Sequence, residues 1–360
     1  TLLPASVIFF NTKFSSPQQR VVYICPKWYP GIDKRSEIVI NNGDVQTLSQ
    51  QVLYENPYLW KTAFRGTARD FKLLQRIKKF PSLKEVLLDA HVNHMGYGLT
   101  FGKKDTKDAS MLRGVPFLGS KSRSRYVIGV DNLDVFTRTS VAQKSNRLRL
   151  KLPVLILFRS LIDYQATSAL IEARPNRRDV VYDHMYYGIS FENTEWLAHR
   201  MNAIFNSKLA LYLLFMFSSA LGWDRRLVEP TDWLQIKLPP SILDREDNSW
   251  NRLYELESWL RQNWTAKTEG IWTRQIKEVE EELNKVIYAL YGLTEQEIVQ
   301  IEDTLRFNIE PFLKRSKGTA NYSRPLREHL ERYAARLRSQ LNGILNSGNL
   351  ELAATIVDFK

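Results

Sequence analysis

Residues 209–217, LALYLLFMF, form an unbroken apolar run of nine. The run is too long for a typical strand and too short to cross a bilayer, so it reads as a buried helix. Asn206 or Ser207 stands where its N-cap belongs, a place that favours short polar side chains. Ser218, Ser219 and Gly222 break the helix. A polar turn follows, Trp223-Asp224-Arg225-Arg226, then a short segment ending in Leu238-Pro239-Pro240. An all-apolar helix beside an exposed basic turn suggests a scaffold that presents a recognition surface.

Charge narrows the class of partner. The net charge is +12, and it is uneven. Residues 61–178 hold 24 Lys and Arg against 9 Asp and Glu, which leaves the remainder at −3. A charge confined to one third of a chain points to a polyanion, although a solubilising surface would also carry it. A length of 360 residues allows one large or two to three small domains. No apolar run reaches membrane length, and no signal peptide precedes the first strand-like segment. The single cysteine, Cys25, excludes an intrachain disulfide and a cysteine-based zinc site. It fits a reducing cytoplasm. The chain starts at Thr1 within a structured pattern and ends strand-like at 356–360, as though cut from a longer protein.

Residues 1–60 read as β-rich. Apolar runs at 7–10 and 21–25 flank a polar loop, as in an antiparallel pair, and 37–40 is a third strand before the turn Asn41-Asn42-Gly43-Asp44. Residues 48–54 either start a helix or lead into the next domain. After Gly66, Phe71, Leu74 and Ile77 fall at helical spacing in a basic amphipathic helix. Residues 91–205 are loop- and strand-rich, with strands expected at 126–130, 154–158, 166–172 and 186–191. Residues 241–347 are helical. Ile276, Val279, Leu283, Val286, Ile287 and Leu290 form an amphipathic stripe ending at Gly292. Thr294 and Glu297 then make a capping box.

Four separated segments carry a resemblance. Pro4, Ala5, Val7, Ile8, Phe9, Phe10, Tyr23, Pro26 and Lys27 resemble the last strands of a methyltransferase catalytic domain. Trp60, Lys61, Gly66, Asp70, Leu73 and Leu74 resemble the entry to a target recognition domain. Asn206, Ser207, Lys208, Tyr212, Phe215, Ser219, Gly222, Arg225, Pro230, Leu234 and Pro239 resemble its closing part. Tyr288, Tyr291, Gly292, Leu293, Thr294 and Glu297 resemble the element that follows it. In this order they are similar to bacterial adenine-N6 DNA methyltransferases of restriction-modification type. The closing pattern also recurs in specificity subunits of type I systems.

The chemistry of methyl transfer is not found. Adenine-N6 methyltransferases need Asp or Asn, two prolines and an aromatic, to hold the target amine and stack on the flipped base. Asn56-Pro57-Tyr58 lacks one proline, and Leu238-Pro239-Pro240-Ser241 lacks the acceptor and the aromatic. Gly96-Tyr97-Gly98 with Gly102 has the wrong spacing for a cofactor loop. No Glu-x-Lys tripeptide supports a fused nuclease. His91 and His94 lack a third metal ligand. The resemblance therefore implies a catalytic half upstream, where S-adenosylmethionine would bind, and no cofactor in this segment.

The expected architecture is α+β. Residues 1–58 would be terminal strands of the catalytic domain, a remnant β-hairpin of its sheet. Residues 59–240 would be a mixed, β-rich target-recognition domain, and 241–360 a helical region. The expected partners are double-stranded DNA and the catalytic domain in cis, with no membrane. Candidate DNA contacts are Lys103, Lys104, Arg113, Lys121, Arg123, Arg125, Arg147, Arg149, Arg177, Arg225 and Arg226. Arg123 and Arg125 beside Tyr126 have the composition of base readers, and the Lys103-Lys104 pair that of phosphate contacts. Arg225 and Arg226 either touch DNA or pair with Asp224 or Asp232 to hold the turn. A stand-alone specificity subunit, with two recognition domains, and an RNA-binding or structural protein are the alternatives.

Overall fold

A computed structural model describes residues 19–24, 45–56, 59–102, 105–120, 122, 124–143, 149–161, 167–223, 225–264 and 270–314, with scattered positions from 327 to 339. The chain divides into two units. Thr1–Lys27 with Ile38–Arg315 form the first, and Trp28–Glu37 with Ser316–Lys360 the second. In the second, Arg327 donates to Glu331 at 3.1 Å, one helical turn away.

The first unit is mixed α and β. Its strand β1 (Arg20–Ile24) pairs antiparallel with β2 (Val45–Ser49), Val22 opposite Thr47. The expected strands at 7–10 and 37–40, and Cys25, lie outside the described residues. Helix α1 (Gln50–Glu55) begins only after β2, with Ser49 as its cap. Then come α2 (Leu59–Arg65), α3 (Ala68–Ile77) and α4 (Leu83–Asp89). The expected basic amphipathic helix is α3. Thr67 and Asp70 form its capping box, and Phe71, Leu74 and Ile77 are buried, as their spacing requires.

Short strands follow: β3 (Met95–Tyr97), β4 (Lys107–Asp108), β5 (Pro116–Leu118), β6 (Tyr126–Val127), β7 (Asp134–Val135), β8 (Ser140–Val141) and β9 (Leu150–Lys151). Then come β10 (Val154–Phe158), β11 (Ser168–Ile171), β12 (Asp179–Tyr182) and β13 (Tyr186–Ser190). Strand β10 is the centre of a five-stranded sheet of order β3-β13-β10-β11-β6. Ile156 lies opposite Ala169 on one side and Gly188 on the other, both antiparallel. A second sheet has the order β7-β5-β12-β9. Side chains alternate along β10. Leu155 and Leu157 join the helical core, while Val154, Ile156 and Phe158 pack with Leu150, Leu152, Val180 and Tyr182. Both faces are covered, which is why the strand is apolar throughout.

The helical part comprises α5 (Glu195–Phe205), α6 (Lys208–Phe217), α7 (Pro230–Gln235), α8 (Ser249–Asn263), α9 (Gly270–Leu290) and α10 (Glu295–Thr304). A π-turn, Leu305–Ile309, leads into α11 (Glu310–Lys314). Helix α6 is the expected buried helix. Ser207 is its N-cap, accepting from Ala210 N at 3.1 Å, and Leu209 through Met216 are all buried. The stripe on α9 and the Thr294–Glu297 capping box also stand as expected. Residue 240 lies inside this unit, and α8 packs on both α5 and α9.

Two expectations need correction. Residues 195–205 are helical, not strand or loop. The polar residues of α5, His199, Arg200 and Asn202, are buried with its apolar ones, so no two-faced helical pattern exists to be read. The strand expected over 126–130 stops at Val127, because a 3-10 turn starts at Val130. No described helix is long and apolar enough to cross a membrane.

Asp70 joins three helices. It is fully buried and accepts from the Tyr212 hydroxyl at 2.7 Å, Gln300 Nε2 at 3.0 Å and Thr67 N at 2.7 Å. Replacing it by alanine leaves the Tyr212 hydroxyl of α6 and Gln300 of α10 without their acceptor. We predict that Asp70→Ala costs about 3 kcal/mol of unfolding free energy, against less than about 0.5 for the exposed neighbour Lys72→Ala. Urea denaturation measures both, and equal effects would contradict the assignment.

Candidate nucleic-acid interface

Several of the described residues that carry the resemblance lie far apart in sequence and meet around α6. Lys61 of α2 is buried and donates to Ser218 O at 2.7 Å and to Leu221 O, at the carbonyl end of α6. Arg65, one turn on, donates to Gly222 O at 2.8 Å. Asp232 of α7 accepts from Ser218 Oγ at 2.7 Å and Ser219 N at 2.9 Å. Gly222 sits at φ +88, and a Cβ there would come within 2.8 Å of the Phe215 ring. Glycine is therefore required twice, by conformation and by space. Arg76 of α3 pairs with Glu297 at 2.8 Å and donates to Tyr291 O at 3.1 Å. The Tyr291 hydroxyl donates to Lys237 O at 2.8 Å.

This web fixes the turn after α6. Trp223 N bonds to Ala220 O, Leu161 N to Arg226 O and Val228 N to Arg159 O. The Arg226 side chain is half-buried and donates to Leu313 O at 2.7 Å, so it braces the turn through α11. Arg225 is exposed. Asp224 lies outside the described residues.

The other predicted cations separate into three groups. Lys103, Lys104, Lys121, Arg123 and Arg147 lie outside the described residues. Arg113 is exposed beside the turn at Gly114, and Arg149 and Arg177 lie at the β9–β12 edge. Arg149 is 3.5 Å from Asp179, and Arg177 is 3.8 Å from Asp131, as is Arg174. Arg178 is exposed in the same turn, and Lys151 pairs with Glu192 at 2.8 Å. Pairs this exposed contribute at most about 1 kcal/mol, so a phosphate can compete for their cations.

Arg125 is different. Its guanidinium pairs with Glu280 of α9, bonds to Asn206 O and lies over the rings of Tyr126 and Trp264. Tyr126 has the rare φ of 67 and is held by its hydroxyl on Glu280 and by Asn202 Nδ2 on its carbonyl. A bulky residue at positive φ persists only where the surroundings over-determine it. Arg125 thus ties the sheet to α9. The side chain expected to read bases is half-buried and held by Glu280 and Asn206. Its partner is 155 residues away in sequence, so no local pattern shows the pairing. A cleft of about 380 Å³ beside it is lined by Lys208, Glu280, Glu281 and Glu302, and Lys208 is already paired with Glu281 and Glu302.

Three residues not named as site candidates from the sequence stand at or near this turn. Trp223 is 45% exposed and stacked on Phe64. Arg159 lies over the exposed Tyr97 ring and pairs with Glu229 at 2.7 Å. Lys61 was matched only by resemblance, since nothing local marks it as buried. Among the described residues no group of three or more His, Cys, Asp or Glu could hold a metal ion. No family model matches the chain, and no curated protein matches it either.

Burial lowers the pKa of Lys61 to about 7, with Asp232 opposing the shift and Arg65 adding to it. A neutral amine has two N–H donors, enough for the two carbonyls that it meets. The folded value lies below the ordinary 10.5. Between the two the unfolded chain binds the extra proton, so stability rises with pH, and below about 7 the dependence ends. Above about pH 10 the buried phenols of Tyr126 and Tyr212, pushed upward by burial, reverse the trend. We predict that unfolding free energy rises by on the order of a few kcal/mol from pH 7 to 10, and that Lys61→Met flattens this rise. Denaturation midpoints across that range decide the matter.

Proposed function

We propose that this chain is the DNA target-recognition region of an adenine-N6 DNA methyltransferase of restriction-modification type. The observation that carries the reading is the meeting of the resemblance-bearing residues. Lys61, Gly66, Asp70, Tyr212, Ser219 and Gly222 touch one another or share partners around α6. They act as one scaffold, which is what a pattern repeated across a family of binding domains would preserve. Around it the sheet edges and turns carry exposed cations: Lys107, Arg113, Arg149, Arg174 and Arg178. Cations of this kind grip phosphates and set register, and a few side chains then read base edges.

In this reading S-adenosylmethionine and the catalytic residues belong to a methyltransferase domain in cis, working in the cytoplasm. The strands β1 and β2 would belong to that domain's sheet. The segment itself binds, holding the duplex so that the target adenine can be delivered to the catalytic centre. Arg123, two residues before Arg125 in sequence, is a candidate base reader.

The test is binding to duplex DNA, single-stranded DNA and RNA over a range of salt. The chain should prefer duplex DNA and should not itself methylate adenine. Arg113→Ala and Arg178→Ala should each flatten the slope of log K against log salt by roughly 0.9, with little loss of stability. Arg125→Ala should instead lower stability. A salt-independent affinity, or a preference for single-stranded RNA, would overturn the assignment.

A further inference from the structure

Trp223 stands out among the exposed apolar residues. It sits in a turn that is fixed from several sides, by Lys61 on Ser218 O and Leu221 O, Arg65 on Gly222 O and Arg226 on Leu313 O. Its ring stacks on Phe64 with centroids 5.1 Å apart and planes 14° apart. Arg65 in turn lies over the Phe64 ring at 4.6 Å and over Phe312 at 5.6 Å. One face of the indole is thus backed by a stacked ring and a cation, and the residue is still 45% exposed. A lone exposed apolar side chain is ordinary. A large aromatic held rigid at the apex of a basic turn is not, because its ring is already ordered before anything binds.

A flat aromatic face backed by Arg65 and followed two residues on by the exposed Arg225 matches a nucleobase attached to phosphates. The ring supplies stacking, which every base accepts, and the cations supply the charge complement. In an intact duplex the faces of the bases are covered by their neighbours. A ring presented in this way meets a base only where the stack is opened, as it is by flipping or by a wedge. We infer that Trp223 is a stacking residue for a nucleobase at an opened step of the bound duplex. This inference rests on the DNA-binding reading above. It adds a contact of a different kind from the phosphate contacts of the sheet edges, because it takes unpaired base rather than backbone.

The two kinds of contact respond differently to substitution, which makes the inference testable. The 360-residue chain, its Trp223→Ala variant and its Trp223→Phe variant are titrated with two fluorescent duplexes. One is fully paired, and the other carries a mismatch that lowers the cost of opening. Thermal unfolding of each protein checks that the fold is kept. The wild-type chain should bind the mismatched duplex more tightly. Trp223→Ala should lose about tenfold or more on that duplex and erase the difference between the two. Its salt slope should be unchanged, since no phosphate contact is removed. Trp223→Phe, which keeps a ring, should retain most of the preference.

Equal affinity of the wild-type chain for the two duplexes would overturn the role of Trp223 and leave the DNA-binding reading standing. So would a Trp223→Ala variant that binds like wild type, the result expected if this face packs against another protein domain. Failure of the wild-type chain to bind either duplex would remove the DNA-binding reading, and the stacking role with it.

Discussion

Helix α6 has no polar face, and that constraint organises the unit around it. Such a helix is stable in water only if every side is covered. Here α2, α5, α7, α9, α10 and the π-turn after α10 all pack on it. The covering elements come from both ends of the described chain, so distant segments are drawn together. The helix still has backbone ends to satisfy. Ser207 caps the start, and Lys61 reaches the carbonyls at the end. A lysine in that place complements the negative end of the helix dipole while it is charged, and bonds the carbonyls whether charged or not. Burial of Lys61, Asp70 and Asp232 follows from wrapping a helix that supplies no polar groups except the Tyr212 hydroxyl and its own termini.

The same constraint explains why the turn after α6 is rigid. Its backbone groups cannot reach water on the inner side, so they bond to Lys61, Arg65 and Asp232. The outer side then has little freedom left. A recognition element on a rigid turn loses less entropy when it binds than one on a mobile loop. The exposed cations at the β9–β12 edge stand in a different setting, in weak surface pairs with Asp131, Asp179 and Glu192.

What could be read from sequence was whatever a single element reveals by itself. The run at 209–217, the spacing of Phe71, Leu74 and Ile77, the strand at 154–158 and the Thr294–Glu297 box each carry their own signal. What could not be read depends on partners elsewhere. Helix α5 buries its polar residues, so His199 on Glu257 and Asn202 on Ser168 cancel its amphipathic pattern. Lys61 and Ser218 are 157 residues apart, and no window on the sequence joins them. The Arg–Tyr pair at 125–126 has the local composition of a base-reading loop, yet its fate is decided by Glu280 on another helix.

Arg125 also changes how the charge of the chain is to be counted. The basic third and the acidic helices are not two separate surfaces. Arg76 and Arg125 from the basic third pair with Glu297 and Glu280 from the helical part. Part of the local excess is therefore spent inside the fold as links between sheet and helices, and it adds little to the outer field. Half-buried pairs of this kind join elements that are far apart in sequence. The acidic residues left over on α8 and α9, Glu255 and Glu282, hold Arg252 at the surface of the helical part. The carboxylates of those helices thus neutralise their own surface and the inward arginines. Among the described residues, exposed cations of the sheet edges and turns pair with Asp105, Asp131, Asp179 and Glu192. Those pairs are exposed, so each carboxylate holds its cation weakly.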